Sequence, residues 1–243
     1  MEKELEVKIL NIDVEEVKAK LENLGARFLK SENQENIRLT SSKFDYIPKG
    51  SFLRIRKFLD KNGKEINSEL TYKEHKENKF LKEFNEYNVS LKNSEDMLKI
   101  LNFLGYDKLD IEKKFRTSYK LRNAHIDIDI WDKEVYPYPY MEIEVSNYDD
   151  LCEVLNLLGI SEGEICLKSL PELKEELKNR LINRGDNLSE ADMQLRLGRL
   201  EYEESKIGLY DYVIKNDNLE KTVQIIMTII ENEKKLEETK IKN

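Results

Sequence analysis

The chain has 243 residues, 39% of them apolar and 37% charged, with a formal net charge of −8. This supports one sizeable core plus an appendage, and the acidic balance argues against a nonspecific nucleic-acid or anionic-membrane surface as the main business of the protein. There is no apolar run near the ~18 residues of a membrane span and no basic-then-apolar leader. The two cysteines, Cys152 and Cys166, lack metal-ligand spacing, so a cytoplasmic protein with reduced thiols and no membrane partner is expected.

The opening stretch MEKELEVKIL alternates with a period of two, which predicts a strand over 2–10 with Glu4, Glu6 and Lys8 on one face and Leu5, Val7 and Ile9 on the other. The segment DVEEVKAKLENLGARF (13–28) then spaces its leucines as a helix, with Asp13 as N-cap and Gly25 beyond its end. Strands are expected over 34–40, 51–58, 67–75 and 81–92, with a turn at Asp60-Lys61-Asn62-Gly63. The helical pattern returns in SEDMLKILNFLGYDKL (94–109), capped by Ser94 and closed by Gly105. Strands follow over 111–121 and 124–131, joined at Arg122-Asn123, and over 139–146. A third helical segment, NYDDLCEVLNLLGISE (147–162), starts at Asn147 or Asp149 and stops at Gly159.

About eight strands joined mostly as hairpins suggest an α+β fold, an antiparallel closed or nearly closed β-barrel whose apolar outside is covered by the three helices. Composition changes after residue 168. Ser169-Leu170-Pro171-Glu172 reads as a helix start, Leu173, Leu177 and Leu181 mark one face, and Gly185 ends it. A charged helix over Ser189 to about Gly208, a short strand over Tyr210–Ile214 and a helix from Leu219 to about Glu238 complete a mainly helical module.

The polar faces of the strands carry the chemistry. Alternation sets Arg54 and Arg56 against Leu53 and Ile55, Thr71 and Lys73 against Leu70 and Tyr72, and Lys114 and Arg116 against Phe115. It likewise sets Asp127 and Asp129 against Ile126 and Ile128, and Glu142 and Glu144 against Met141 and Ile143. Solvated faces are the ordinary reading of any one such strand. Across six strands, however, same-sign pairs two apart repel unless opposite charge lies between them. An enclosed polar space meets that demand. Paired carboxylates at Glu4, Glu6, Glu142 and Glu144, with Asp127 and Asp129, make an all-oxygen site for Mg²⁺ or Mn²⁺. Lys8, Arg54, Arg56, Lys73, Lys114 and Arg116 suit a multiply charged anion such as a polyphosphate. His75 shares the parity of Lys73, His125 reads as a surface or satisfied residue, and Trp131 is expected at the core or rim, away from Asp129.

These pieces resemble a known family. ELEVK at 4–8 looks like the ExExK motif of the CYTH, or triphosphate tunnel metalloenzyme, superfamily, and FLRIRK, LTYKEH, EKKFRTSYKL, IDIDIW and PYPYMEIEV follow in the order of its strands, over about residues 1–170. The resemblance implies an eight-stranded antiparallel tunnel over 1–168 that acts on inorganic triphosphate, thiamine triphosphate or nucleoside triphosphates, cyclises ATP, or removes an RNA 5′ phosphate. Carried over, Glu4, Glu6, Glu142 and Glu144 hold the divalent metal with Asp129 nearby. Lys8, Arg54, Arg56, Lys73, Lys114 and Arg116 bind the triphosphate, and Glu4, Glu6 and Lys8 carry the catalytic motif. Two departures touch the pocket. NIRLTSSKFDY lacks the usual aromatic-aromatic-Asp strand, and Phe84 and Asn88 stand where Arg and Glu are common, with Lys82 a partial replacement.

The remainder, 169–243, resembles the lid and C-terminal part of guanylate kinases, with Arg180, Arg184 and Arg196 along the lid and Asn216-Asp217 after the last strand. No G-x-x-x-x-G-K-[ST] loop exists, which argues against nucleotide-kinase activity. Three functions stay open: a divalent-metal-dependent triphosphatase with tripolyphosphate as first substrate, an adenylate cyclase, and a non-catalytic polyphosphate or nucleotide sensor. A homodimer through the exposed helices is also left open.

Overall fold

The computed structural model describes residues 2–76, 82–182, 212–214, 221–230 and 232, with the backbone alone at 2–4 and 180–182. Two units are distinguished, Met1–Gln194 and Leu195–Asn243. In the first, β1 (Glu2–Leu10), β2 (Arg27–Thr40), β3 (Phe52–Leu59), β4 (Glu65–Lys76), β5 (Lys82–Leu91), β6 (Lys108–Leu121), β7 (Ala124–Trp131) and β8 (Tyr140–Val145) pair antiparallel in the order β5-β4-β3-β2-β6-β7-β8-β1. A further pairing of β1 with β5, in register from Glu2 opposite Glu86 to Glu6 opposite Lys82, closes the eight into a ring. The other half of that edge of β1 is taken by a two-residue strand, β9 (Ile165–Cys166), opposite Lys8 and Ile9.

Alternation decides what each strand shows to each side. Leu5, Val7, Ile9, Ile126, Ile128, Met141, Ile143 and Val145 point outward and are buried beneath α1 (Val14–Asn23) and α3 (Tyr148–Leu158), which contribute Leu21, Leu151, Val154, Leu155 and Leu158. On the other side α2 (Ser94–Phe103) covers Ile37, Leu39 and Ile55 with Leu101. Each such buried side chain contributes about 1.5–3 kcal/mol, so the helices hold the ring from outside and leave its interior to polar residues. A third cluster joins Trp131, Tyr136 and Tyr140 to Leu170 and Leu173 of α4 (Leu170–Ile182), so α4 packs on the ring.

The ends of elements show where local chemistry wins. Asp13 accepts hydrogen bonds from the Glu15 and Glu16 amides at 3.0 and 2.9 Å and starts α1. Asn147, not Asp149, caps α3. Asn93 rather than Ser94 caps α2, because the Ser94 hydroxyl instead donates to Glu65 at 2.6 Å. β2 begins at Arg27, well before the expected 34, since a ladder from Arg27 opposite Lys120 to Thr40 opposite Lys108, irregular only between Phe28 and Lys30, supplies hydrogen-bond partners to this largely polar stretch. Residues 212–214 form neither helix nor strand, unlike the expected strand over 210–214, and a helix spans 221–230. Gly185, Ser189–Gly208 and Asn216-Asp217 lie outside the described residues.

Candidate active site: a charged cavity inside the strand ring

The inward faces of all eight ring strands line one cavity of about 1040 Å³, to which the Lys49–Ser51 loop and the start of α4 also contribute. Glu6, Lys8, Arg54, Arg56, Lys73, Lys114, Arg116, Glu142 and Glu144 all face it. Asp129 lies immediately behind, fully buried, with its oxygens accepting from Lys114 Nζ, Arg116 Nε and Arg116 Nη2, each at 2.6 Å. Glu4 lies on β1 opposite Phe84, and its side chain is outside the described residues, as are those of Arg180, Arg184 and Arg196.

Charge is sorted by sector. The acids Glu6, Asp127, Asp129, Glu142 and Glu144 come from three adjacent strands, β7, β8 and β1, and are met by a few central cations. Arg116 pairs with Asp127 and Asp129 and donates to Glu142 at 2.6 Å. Lys8 bridges Glu6 at 3.1 Å and Glu142 at 2.9 Å. Burial alone would raise the Glu142 carboxyl, but Lys8 and Arg116 overcome it and hold the group well below the usual carboxylate range. Burial likewise works against the charged forms of Lys8 and Arg116, and their carboxylate neighbours reverse it.

Glu144 differs. It stands opposite Glu6 in register, takes part in no ion pair among the described residues, and burial holds its carboxyl above the ordinary value, with Asp127 and Glu6 adding to the rise.

The opposite sector carries cations in excess of their partners. Arg56 donates to Asn36 at 3.1 Å and approaches Glu69 at 3.4 Å, while Lys73 meets Glu86 at 3.0 Å. Arg54 forms no ion pair among the described residues, and its buried Nε finds no hydrogen-bond partner. Burial and then the neighbouring Arg56 push its guanidinium down to about 9. Burial also pushes Lys82 to about 8, helped by Lys8, and Lys114 to about 7, helped by Arg116 and opposed by Asp129. Burial therefore disfavours the charged forms of Arg54, Lys82 and Lys114, even though Lys114 is paired with Asp129.

Several lining residues escaped the reading of the sequence. Lys30, Glu32, Gln34, Asn36 and Arg38 of β2 alternate inward, a signal available for the last three within the expected strand 34–40 and for Lys30 and Glu32 only once the strand is extended back to Arg27. Trp131 lines the cavity with Lys114 Nζ 4.8 Å from its ring, instead of pointing away from Asp129. The spacing of two residues between Asp129 and Trp131 already requires a shared face. His75 lines the cavity, and His125 also does so, bonded to Asp127 at 3.0 Å. Asn88 accepts from Thr71 at 2.7 Å and donates to Glu86 at 2.9 Å, and Phe84 sits under Lys73.

No three His, Cys, Asp or Glu side chains converge as a ligand group among the described residues. The donor set itself fits a hard divalent cation. It is all carboxylate oxygen, the donor type such a cation takes, and Glu6, which Lys8 also bridges, stands opposite Glu144 across the ladder.

A family model described as CYTH domain matches residues 2–170. A protein of Methanocaldococcus jannaschii named "Putative adenylate cyclase MJ0240" is 31% identical over 180 residues, covering 70% of this chain and 98% of that protein. The solved structure of the PH1012 protein from Pyrococcus horikoshii OT3 aligns with a TM-score of 0.57 at 29% identity, over 70% of this chain and 98% of that one. A different part of this chain is similar to guanylate kinases, such as that of Syntrophus aciditrophicus, which is 42% identical over 73 residues. That match covers 30% of this chain and about a third of the kinase, 34%.

Proposed function

This chain belongs to the CYTH domain family, and from that premise we propose that it is a divalent-metal-dependent hydrolase of triphosphate substrates working inside a tunnel formed by its strand ring. The family includes triphosphatases and adenylate-cyclase-like proteins. The observation that carries the proposal is Arg54, a buried guanidinium that makes no ion pair among the described residues and has an unpartnered Nε, lining a cavity whose other wall carries carboxylates.

Glu6, Glu142 and Glu144, with Glu4, would hold Mg²⁺ or Mn²⁺, which supplies charge neutralisation on phosphate oxygens and a more acidic water. Arg54, Arg56, Lys73 and Arg116 bind the non-bridging oxygens and orient the chain of phosphates along the cavity. Lys8 and Arg116 keep the neighbouring carboxylates ionised. As water adds to phosphorus and the anhydride P–O bond breaks, a proton of that water passes to a cavity carboxylate outside the metal's ligand set. The negative charge that grows on the departing oxygen meets guanidinium groups already in position.

The test is phosphate release from tripolyphosphate and from ATP with Mg²⁺ or Mn²⁺, beside Glu6→Gln and a chelated sample. Release that the substitution lowers at least 100-fold and that chelation abolishes is the expected result. The M. jannaschii relative's name favours adenylate cyclase as second reading, and cyclic AMP from the same ATP reaction would establish it. Binding of both substrates without turnover would turn the site into a sensor. On this reading residues 1–168 form the phosphate-binding domain and 169–243 an appended guanylate-kinase-like segment, of which the start of α4 packs on the ring. Among the described residues no helix is long and apolar enough to cross a membrane, and both cysteines are free thiols.

A further inference from the structure

Two side-chain amides on the β2 wall of the cavity have only half of their hydrogen bonds made. Gln34 and Asn36 both line the cavity and are almost fully buried, 1% and 3% exposed. Gln34 Nε2 donates to Glu32 Oε1 at 2.7 Å, and Asn36 Oδ1 accepts from Arg56 Nε at 3.1 Å. These bonds fix the direction of each amide, because a carboxylate only accepts and a guanidinium only donates. What remains is Gln34 Oε1, an acceptor, and Asn36 Nδ2, a donor, both buried and without a partner among the described residues. Each such atom costs about 1–3 kcal/mol when left unpaired, so two of them side by side on one wall call for an occupant.

Their neighbours are the residues of the phosphate cradle. Gln34 is opposite Lys114 on β6, and Asn36 is opposite Arg56 on β3. Arg54, whose Nε is also unpartnered, stands two residues from Arg56 and lines the same cavity. In the strand order β2 lies opposite β1, so the amides look across the cavity towards Glu6 and Lys8.

An ionised phosphate chain offers acceptors alone and leaves Gln34 Oε1 unpaired. A metal ion on that oxygen would stand beside Lys114, Arg56 and the Asn36 donor, all of which repel it. Water is the participant in hydrolysis that both donates and accepts, and it binds where about two to four polar partners converge. Residues two apart on a strand have Cα atoms about 6–7 Å apart, a span that one water bonded to both amides bridges. We propose that Gln34 and Asn36 hold the attacking water, with Asn36 Nδ2 donating to its oxygen and Gln34 Oε1 accepting from one of its O–H groups. The water keeps a lone pair and its second proton free. The lone pair forms the new P–O bond, and the anhydride P–O bond breaks with its electron pair going to the departing oxygen. The second proton passes to a cavity carboxylate, since an amide oxygen is too weak a base to take it. The inference rests on the hydrolase reading and deepens it, and it separates hydrolysis from cyclisation, in which a sugar hydroxyl attacks instead of water.

The experiment measures kcat for phosphate release from tripolyphosphate over a Mg²⁺ series and, by calorimetry, binding of the hydrolysis-resistant imido analogue of tripolyphosphate. It is run on the full chain as wild type, Gln34→Met, Gln34→Glu and Asn36→Leu, with thermal melts to confirm folding. Gln34→Met and Asn36→Leu are expected to lower kcat about 10- to 100-fold and to leave analogue affinity within about threefold, because the lost contact is to water and not to the phosphate chain. Gln34→Glu, which keeps an acceptor at the same reach, should retain more of kcat than Gln34→Met. Unchanged kcat in the folded variants would reduce the bound water to a structural one and overturn the proposal. Analogue binding weakened as much as kcat would put the amides on the substrate, and a raised Mg²⁺ requirement in Gln34→Met would put Oε1 on the metal; either result overturns it too. All three leave the hydrolase reading standing. A wild type that binds the analogue and releases no phosphate sinks the hydrolase reading, and this inference with it.

Discussion

At the scale of single residues, the site turns on a few charged groups that serve several partners at once. Arg116 meets Asp127, Asp129 and Glu142, so Arg116→Met takes a cation from three buried carboxylates at once and leaves them to Lys8, Lys114 and His125. Chemical denaturation should show a loss of about 3–5 kcal/mol, and Arg116→Lys should recover little of it, because one ammonium cannot reproduce the fork. Lys82 gives a pH prediction with a definite sign. Its ammonium falls from 10.5 to about 8 in the folded chain, so between those values the unfolded state binds more protons, and this group makes stability rise with pH across that window. Its cationic charge is present below about 8 and fades above, so affinity for tripolyphosphate should weaken as pH rises through 8. Lys82→Met should flatten that part of the profile relative to wild type, and an unchanged difference would remove Lys82 from the anion site. The inward set Arg54, Arg56, Lys73, Lys114, Arg116, Glu142 and Glu144 was legible because a period of two fixes the side of every residue once one is known. Arg38, Phe52 and Trp131 share the inward parity, but none belongs to a like-charged pair two residues apart, the pattern that marks the other lining residues.

At the scale of elements, the helices are legible from leucine spacing and from the glycines behind them, and they do their work through a few buried contacts. Leu151 of α3 is fully buried, so Leu151→Ala should cost about 2–5 kcal/mol in a denaturant titration. Ile100 of α2 is half exposed, and Ile100→Ala should stay within about 0.5 kcal/mol. Gly50 is a different case. Its φ of +85° and its closeness to His75 make Gly50→Ala costly by about 1–3 kcal/mol, read as a lowered melting point. The early part of β2, the two residues of β9 and the choice of Asn93 as cap were not legible. Each depends on a partner distant in the chain, Lys120 across the ladder, β1 beside Cys166, and Glu65 beyond Ser94.

At the scale of the whole molecule, the sorting of charge into sectors makes function possible, and it predicts sensitivity to ions. Raising salt from low to moderate ionic strength should weaken tripolyphosphate binding less than it weakens a surface-bound anion, because the cradle is enclosed and poorly screened. Equilibrium dialysis over a salt series checks this, and a steep loss would place the anion at a rim. The sequence by itself determined the alternation of nearly every strand, the helix-covered outside and the ordered motifs of the CYTH family, because these are set by neighbours two to four residues apart. Only the tertiary structure decided that β5 returns to β1 and closes the ring, and that the start of α4 reaches the cavity. It alone showed that Arg54 makes no ion pair among the described residues while Arg116 makes three, and that Phe52, His75 and Phe84 line the same cavity. Those facts follow from which strands meet across the ring, and no spacing along the chain encodes a meeting between residues eighty positions apart.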